Sequence, residues 1–130
     1  MIEVATKKRM EELRLRLLRL HKVLLDDERE AYERIAGPIG GPGRVLSLVM
    51  SDPFFDWLHR ISQTIVKIDE TVENDESTSE QADAIFADTR EMVLHKGPET
   101  NFMRRYKHVL QKNPAAVLAH AEVLKALFDD

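Results

Sequence analysis

The side chains able to do chemistry here are few in kind: five histidines (His21, His59, His95, His108 and His120) and no cysteine. Without cysteine there are no disulfides, thiolate metal sites, thiol nucleophiles or iron–sulfur clusters. Histidine is left as the residue for metal ligation or proton transfer at neutral pH. A dinuclear metal site in a helical bundle needs inward-facing Glu residues and a Glu-x-x-His motif on each of two helices. The nearest patterns are Asp56-x-x-His59 and Glu91-x-x-x-His95, each single and of different spacing. The paired motif is missing, so no metal or other cofactor is expected, and His59 and His95 are the ligands to test. Both have a structural alternative. Asp56 is placed to cap its own helix start, and His95 stands beside Gly97, where a cation suits the negative end of a helix dipole.

Carboxylates are numerous, and Asp26, Asp27, Glu28, Glu30 and Glu33 fall close together. A carboxylate does acid–base work when burial or a close partner moves its pKa. Consecutive positions on a helix point around it and into water, so this run reads as a solvated face with a Glu30–Arg34 link at four-residue spacing. Ser47, Ser51 and Ser62 have no nucleophile context, and no catalytic residue is expected.

Charge is unevenly placed. Between Met1 and Leu25 there are seven basic residues and three acidic ones, whereas Asp69 to Glu91 holds nine acidic residues and Arg90 alone. Arg104, Arg105, Lys107 and Lys112 form a second basic cluster. A basic face built from Lys7, Lys8, Arg14, Arg104 and Arg105 would meet phosphates, which makes nucleic-acid binding the alternative reading. The net charge of −4 and the absence of a helix-turn-helix or RNA-binding motif argue against it as the first reading. Segregated charge also orients a protein partner or a second copy of the chain. Phe54, Phe55 and Trp57 would anchor such a contact if exposed and fill the core if not.

The elements that position these residues are helices. Met10, Leu13, Leu17, Leu20, Leu24 and Ala31 keep one seam on a helix over 2–36, and Leu18, Leu25 and Tyr32 form a second row beside it. Gly37-Pro38-Ile39-Gly40-Gly41-Pro42-Gly43 stops it. A phosphate cradle would require a preceding strand and a Lys-Ser/Thr pair, so this loop reads as a turn. A short helix over 44–50 follows. Asp52-Pro53 starts a third helix with Phe54, Leu58, Ile61, Ile65, Ile68 and Val72 on one face. After the acidic loop 73–80, Ser77 with Glu80 or Thr78 with Gln81 offers a capping box for a fourth helix ending at Gly97-Pro98. A fifth begins near Glu99, and Asn113-Pro114 separates it from the last. No segment alternates with period two.

The predicted fold is a single all-α domain over 1–130: an antiparallel, four-helix-bundle-like arrangement with a long N-terminal helix, one short helix and a Pro-kinked C-terminal pair. With 32% charged residues the chain has no apolar run able to cross a membrane. Lys7 to Arg19 interrupts any leader-like run, so a cytoplasmic location is expected.

Val45-Leu46-Ser47-Leu48, Asp52-Pro53-Phe54-Phe55-Asp56-Trp57-Leu58 and Ile65-Val66-Lys67-Ile68-Asp69-Glu70 resemble a set of small bacterial all-helical proteins without assigned activity. The likeness extends from Asp26-Asp27-Glu28-Arg29 and Tyr32-Glu33-Arg34 to Leu118-Ala119-His120-Ala121. It implies a bacterial, cytoplasmic helical protein and transfers no site. The functional expectation is non-catalytic protein–protein association beginning with a homodimer. Nucleic-acid binding, and small-ligand or metal binding inside the bundle, are the alternatives.

Overall fold

The computed structural model describes residues 1–128. Six α-helices make up its regular structure: α1 (Val4–Ala36), α2 (Pro42–Ser51), α3 (His59–Glu73), α4 (Ser79–Leu94), α5 (Asn101–Lys112) and α6 (Pro114–Phe128). A 3₁₀ turn, Pro53–Leu58, joins α2 to α3. At ~1.5 Å per residue α1 is about 50 Å long. It ends where Gly37 takes φ +85°, a conformation a side chain would oppose, and donates its N–H to Glu33 O at 2.9 Å.

Four helices form a ring: α1 touches α3 and α6, and α4 closes it against both. Pairing along the ring fixes the directions. Arg14 of α1 meets Asp69 of α3, while Tyr32 near the end of α1 meets Phe54 and Phe55 just before α3. Arg16 of α1 bonds Glu122 O of α6, while Asp27 meets Asn113 at the start of α6. Thr64 of α3 reaches Met92 of α4. Arg90 of α4 lies near Leu127 of α6, and His95 just past α4 lies near His120. Each ring neighbour therefore runs antiparallel to the next. The sequence suggests that the last two helices together complete the fourth wall. In the structure α6 alone is that wall, and α5 lies at one end against α6, the 3₁₀ turn and α1.

The expected seam Met10, Leu13, Leu17, Leu20 and Leu24 is buried along its whole length. Three other expectations are corrected. Leu18, placed in the second buried row, is exposed. Glu28, placed on a solvated face, is 3% exposed and lies in the core stripe. The ion pair near it joins Arg29 to Glu33 at 2.9 Å, one position earlier than the Glu30–Arg34 link.

The start of the third helix also differs from its prediction. Asp52 caps it, as its place before Pro53 predicts, accepting from Phe54 N at 2.9 Å, and the difference lies in the winding that follows. With Pro53 lacking an N–H, the chain then winds as a 3₁₀ turn, in which residues three apart eclipse. Phe55 and Leu58 thus share the core side, both fully buried. Phe54 and Trp57 share the other side, and the Arg105 guanidinium lies 4.8 Å from one ring centroid and 6.0 Å from the other. On an α-helical turn the members of each pair would stand about 60° apart instead of eclipsed.

The starts of α4 and α6 use caps that the sequence offers, whereas Thr100 caps α5 and neither α1 nor α2 has a side-chain cap. Thr78 and Gln81 form the reciprocal capping box of α4, at 3.2 and 2.8 Å. Asn113 Oδ1 accepts from Ala115 N and Ala116 N at the start of α6.

Candidate functional site

Consecutive residues on an α-helix project about 100° apart, and on α5 this sends Arg105 and Tyr106 into two different polar clusters. The Arg105 guanidinium pairs with the buried Glu28 carboxylate and donates to Phe54 O at 3.3 Å while stacked on Phe54 and Trp57. Beside it, Asp27 holds Lys112 at 3.3 Å and accepts from Asn113 Nδ2 at 3.1 Å. Each charge in this cluster has its opposite, which is what burial of ions demands, while Asp27 Oδ2 and Trp57 Nε1 are buried with no hydrogen-bond partner. The cluster welds α1, the 3₁₀ turn and α5 together.

The second cluster is less complete. Tyr106 Oη lies 2.6 Å from His120 Nδ1. His95 meets the Tyr106 ring edge-on at 4.5 Å between centroids, and its ring is 6.1 Å from that of His120 with 21° between planes. His95 Nε2 is enclosed with no hydrogen-bond partner. His95 also ends α4 at φ 55° and ψ 45°, the one non-glycine residue with positive φ among the described residues. Helices commonly end on a residue in this region, and histidine is among the few non-glycine residues enriched there.

Electrostatics sets the protonation of this group. Burial, then the positive fields of His120, Lys107 and Arg60, push His95 down to about 4. Burial lowers His120 and raises the Tyr106 phenol above its usual range. At pH 7 both imidazoles are neutral and the phenol keeps its proton. His95 and His120 line an open groove of about 360 Å³ together with Lys107, Gln111, Leu94 and Leu110.

The two histidines singled out as ligands fall into separate groups. His59 Nε2 lies 3.0 Å from Val49 O, and its charge, after burial, is the second cause that lowers His21. Among the described residues, no three histidine or carboxylate side chains converge on a point where a metal would sit. Phe55 and Trp57 are buried and Phe54 half-buried, so this aromatic set belongs to the core and to the Arg105 platform. Of the basic residues, Arg14 and Arg105 are committed to Asp69 and Glu28, while Lys8 and Arg104 face solvent and Lys7 is half-buried.

One further feature lies on the outer side of α1. Leu15 is 58% exposed, Leu18 39% and the neighbouring Leu118 of α6 67%. Between Leu15 and Leu118 runs a groove of about 470 Å³ bordered by Glu12, Arg16, Arg19 and Glu122.

Sequence reasoning passed over Glu28 and His120 as site residues. Glu28 had a signal: it lies four residues after Leu24, on the seam, in the gap before Ala31. His120 follows Ala116 by four and precedes Val123 by three, at the edge of the α6 apolar face. Nothing in the sequence linked it to Tyr106.

Fold and geometry together define an all-helical protein with one closed ionic cluster, one open imidazole–phenol cluster and an exposed leucine ridge. No helix among the described residues is long and apolar enough to cross a membrane. No family model matches the chain, and neither a curated protein nor a solved structure matches it.

Proposed function

We propose that this protein acts by association rather than by turnover, and that two copies pair antiparallel through the outer face of α1. The observation that carries this reading is the charge order around the exposed leucines. Along the ridge the residues run Lys8, Glu11, Glu12, Leu15, Leu18, Arg19, Lys22, Asp26. Each of the eight except Leu15 and Leu18 is charged, and the signs invert about the midpoint between those leucines. A two-fold axis there sets Glu11 and Glu12 opposite Lys22 and Arg19 of the second copy, and Lys8 opposite Asp26. A parallel, in-register pairing would instead set each charge against itself.

Self-complementarity of this kind is what an isologous contact requires. The leucines and the groove beside Leu118 supply the apolar centre. Some of the flanking ions are already held in place, Glu12 by Arg16 at 2.7 Å and Asp26 by Lys22 at 3.3 Å, so less side-chain freedom is lost on pairing.

Sedimentation of the full chain at about 50 μM, within the affinity range of ordinary-sized interfaces, should give a dimer. Leu15→Glu with Leu18→Glu should give a folded monomer. Glu11→Lys and Lys22→Glu should each weaken the dimer about fivefold or more, and combined they should restore it, because opposite charges meet again. A monomeric wild-type protein overturns the reading. A dimer indifferent to the leucine pair overturns its placement on α1.

A further inference from the structure

The open cluster between α4, α5 and α6 has the makings of a ligand site on geometry alone. A residue held in the left-handed region, an enclosed imidazole nitrogen with no partner, and a second imidazole oriented by a buried phenol converge on one groove. A buried polar atom without a partner, on a residue that lines an open groove, marks a place where something else can supply one. Asp27 Oδ2 and Trp57 Nε1 also lack a hydrogen bond, but they lie where Lys112 and Arg105 bring positive charge beside them. The same helix offers the contrast, since Arg105 one residue earlier is fully engaged.

Charge chooses the ligand's sign. The groups whose fields reach His95 come from every element packed around it: Arg60 from α3, Lys107 from α5 and His120 from α6. Lys107 and Arg60 oppose a positive charge there at neutral pH, His120 joins them once protonated, and no carboxylate lines the groove. A metal cation would bind against that field. An anion would bind with it.

The groove wall chooses the ligand's body. Leu94 and Leu110 line the same groove as Lys107 and Gln111, so a molecule that carries both an ionic group and an apolar remainder fits better than a bare oxyanion. We infer that the His95–Tyr106–His120 groove binds a small organic carboxylate, its charged end between Lys107, Gln111 and the imidazoles and its hydrocarbon end on the leucines. Lys107 gives the ion pair and Gln111 an amide N–H. Tyr106, by donating to His120 Nδ1, leaves the His120 proton on Nε2 as a donor.

Binding has a built-in signature. Burial, and after it the neighbouring cationic fields, hold this ring neutral. A carboxylate beside His95 offsets the second of these, so its pKa climbs and the complex takes up a proton in mildly acidic solution.

The test is an imidazole NMR titration of the full chain with sodium benzoate, using benzamide and inorganic phosphate as probes of charge and of body. Benzoate should move the His95 and His120 resonances with a Kd of about 1 mM, as expected for a ligand of about ten non-hydrogen atoms. It should also raise the His95 midpoint. Benzamide and phosphate should bind about tenfold more weakly or worse. Lys107→Gln, at an exposed position that leaves the fold intact, should cost about tenfold in benzoate affinity. Three outcomes would overturn the inference: no shift at about 20 mM benzoate, equal binding of benzamide, or a Lys107→Gln protein that binds as well as wild type. Stoichiometric zinc binding lost in His120→Gln would overturn it too, in favour of a cation.

Discussion

Two neighbouring residues on α5 belong to regions built on opposite plans. Arg105 enters a cluster in which the guanidinium has a carboxylate, a carbonyl and two aromatic faces. Tyr106 enters one in which a histidine is twisted into the left-handed region and one of its nitrogens has no partner. Burial raises the energy of every polar group, and a complete set of partners returns that energy as stability. An incomplete set leaves a residue whose retention stability does not explain. The difference between the two regions separates what holds this protein together from what is free to act.

The sharpest way to break that comparison is at Arg105. Arg105→Ala leaves Glu28 charged, 3% exposed and without its partner, and also removes the platform over Phe54 and Trp57. Loss of one member of a buried pair costs about 3–5 kcal/mol, although the partial exposure of Arg105 places the expected loss at the lower end. Urea denaturation should show this as a large drop in midpoint. Replacing both partners, as Arg105→Met with Glu28→Leu, should recover most of the loss, because no ion is then left in the core. A small effect of Arg105→Ala would mean that the ionic cluster is ornamental and that the two regions do not differ in kind.

How much of this was visible in the sequence follows from the range of each interaction. Seams such as Met10–Leu24 and Ile61–Ile68, the Thr78–Gln81 box and the Gly37 stop are set within a turn or two of chain, and spacing shows them. Glu28–Arg105 spans 77 positions and Tyr106–His120 crosses from one helix to the next, so neither pair leaves a local pattern. The 3₁₀ turn was hidden for a related reason. Phe54, Leu58 and Ile61 match α-helical spacing equally well, and the winding is decided by what Arg105 and the core require of Phe54, Trp57, Phe55 and Leu58. Grouping of His59 with His95 as ligands came from spacing alone, and spacing could not show that one lies by Val49 and the other by Tyr106.

Acid should sharpen the comparison next. His95 is held at about 4, and burial lowers His21 and His120 as well. A histidine with a lowered pKa in the folded chain takes up its proton first in the unfolded chain, near 6.5. Stability is therefore undiminished above about pH 7, falls as pH drops from about 6.5 to about 4, and loses nothing further from His95 below that. Discounted for the solvent reaching this ring, the His95 contribution is about 1 kcal/mol, with His21 and His120 acting in the same direction. Denaturation midpoints at a series of pH values would check it. A flat profile over this interval would place these histidines in water and dissolve the cluster.

Tyr106→Phe removes the hydroxyl facing His120 and keeps the ring against His95 and Phe102. The expected loss is about 1 kcal/mol, the ordinary net value of one partly buried hydrogen bond. Its sharper readout is the His120 imidazole. Freed from the phenol at Nδ1, that ring should show a changed tautomer balance by nitrogen chemical shift while the helix content is unchanged.

The smallest stability effect is expected at His95, which is the most direct statement of the contrast. His95→Asn puts a residue tolerant of the left-handed region at the end of α4, relieving the backbone there. It also gives up the edge-on contact with Tyr106, an interaction of about 0.5–1.5 kcal/mol. The two changes oppose each other, so stability near pH 7 should move by less than about 1 kcal/mol. The acid-sensitive interval should shrink, because the ring that resisted protonation is gone. A residue whose replacement leaves the fold in place but alters how it meets protons is not there to hold helices together. Should His95→Asn instead cost as much as Arg105→Ala, the open cluster would be as structural as the closed one, and the orphaned nitrogen would lose its meaning as a sign of a ligand.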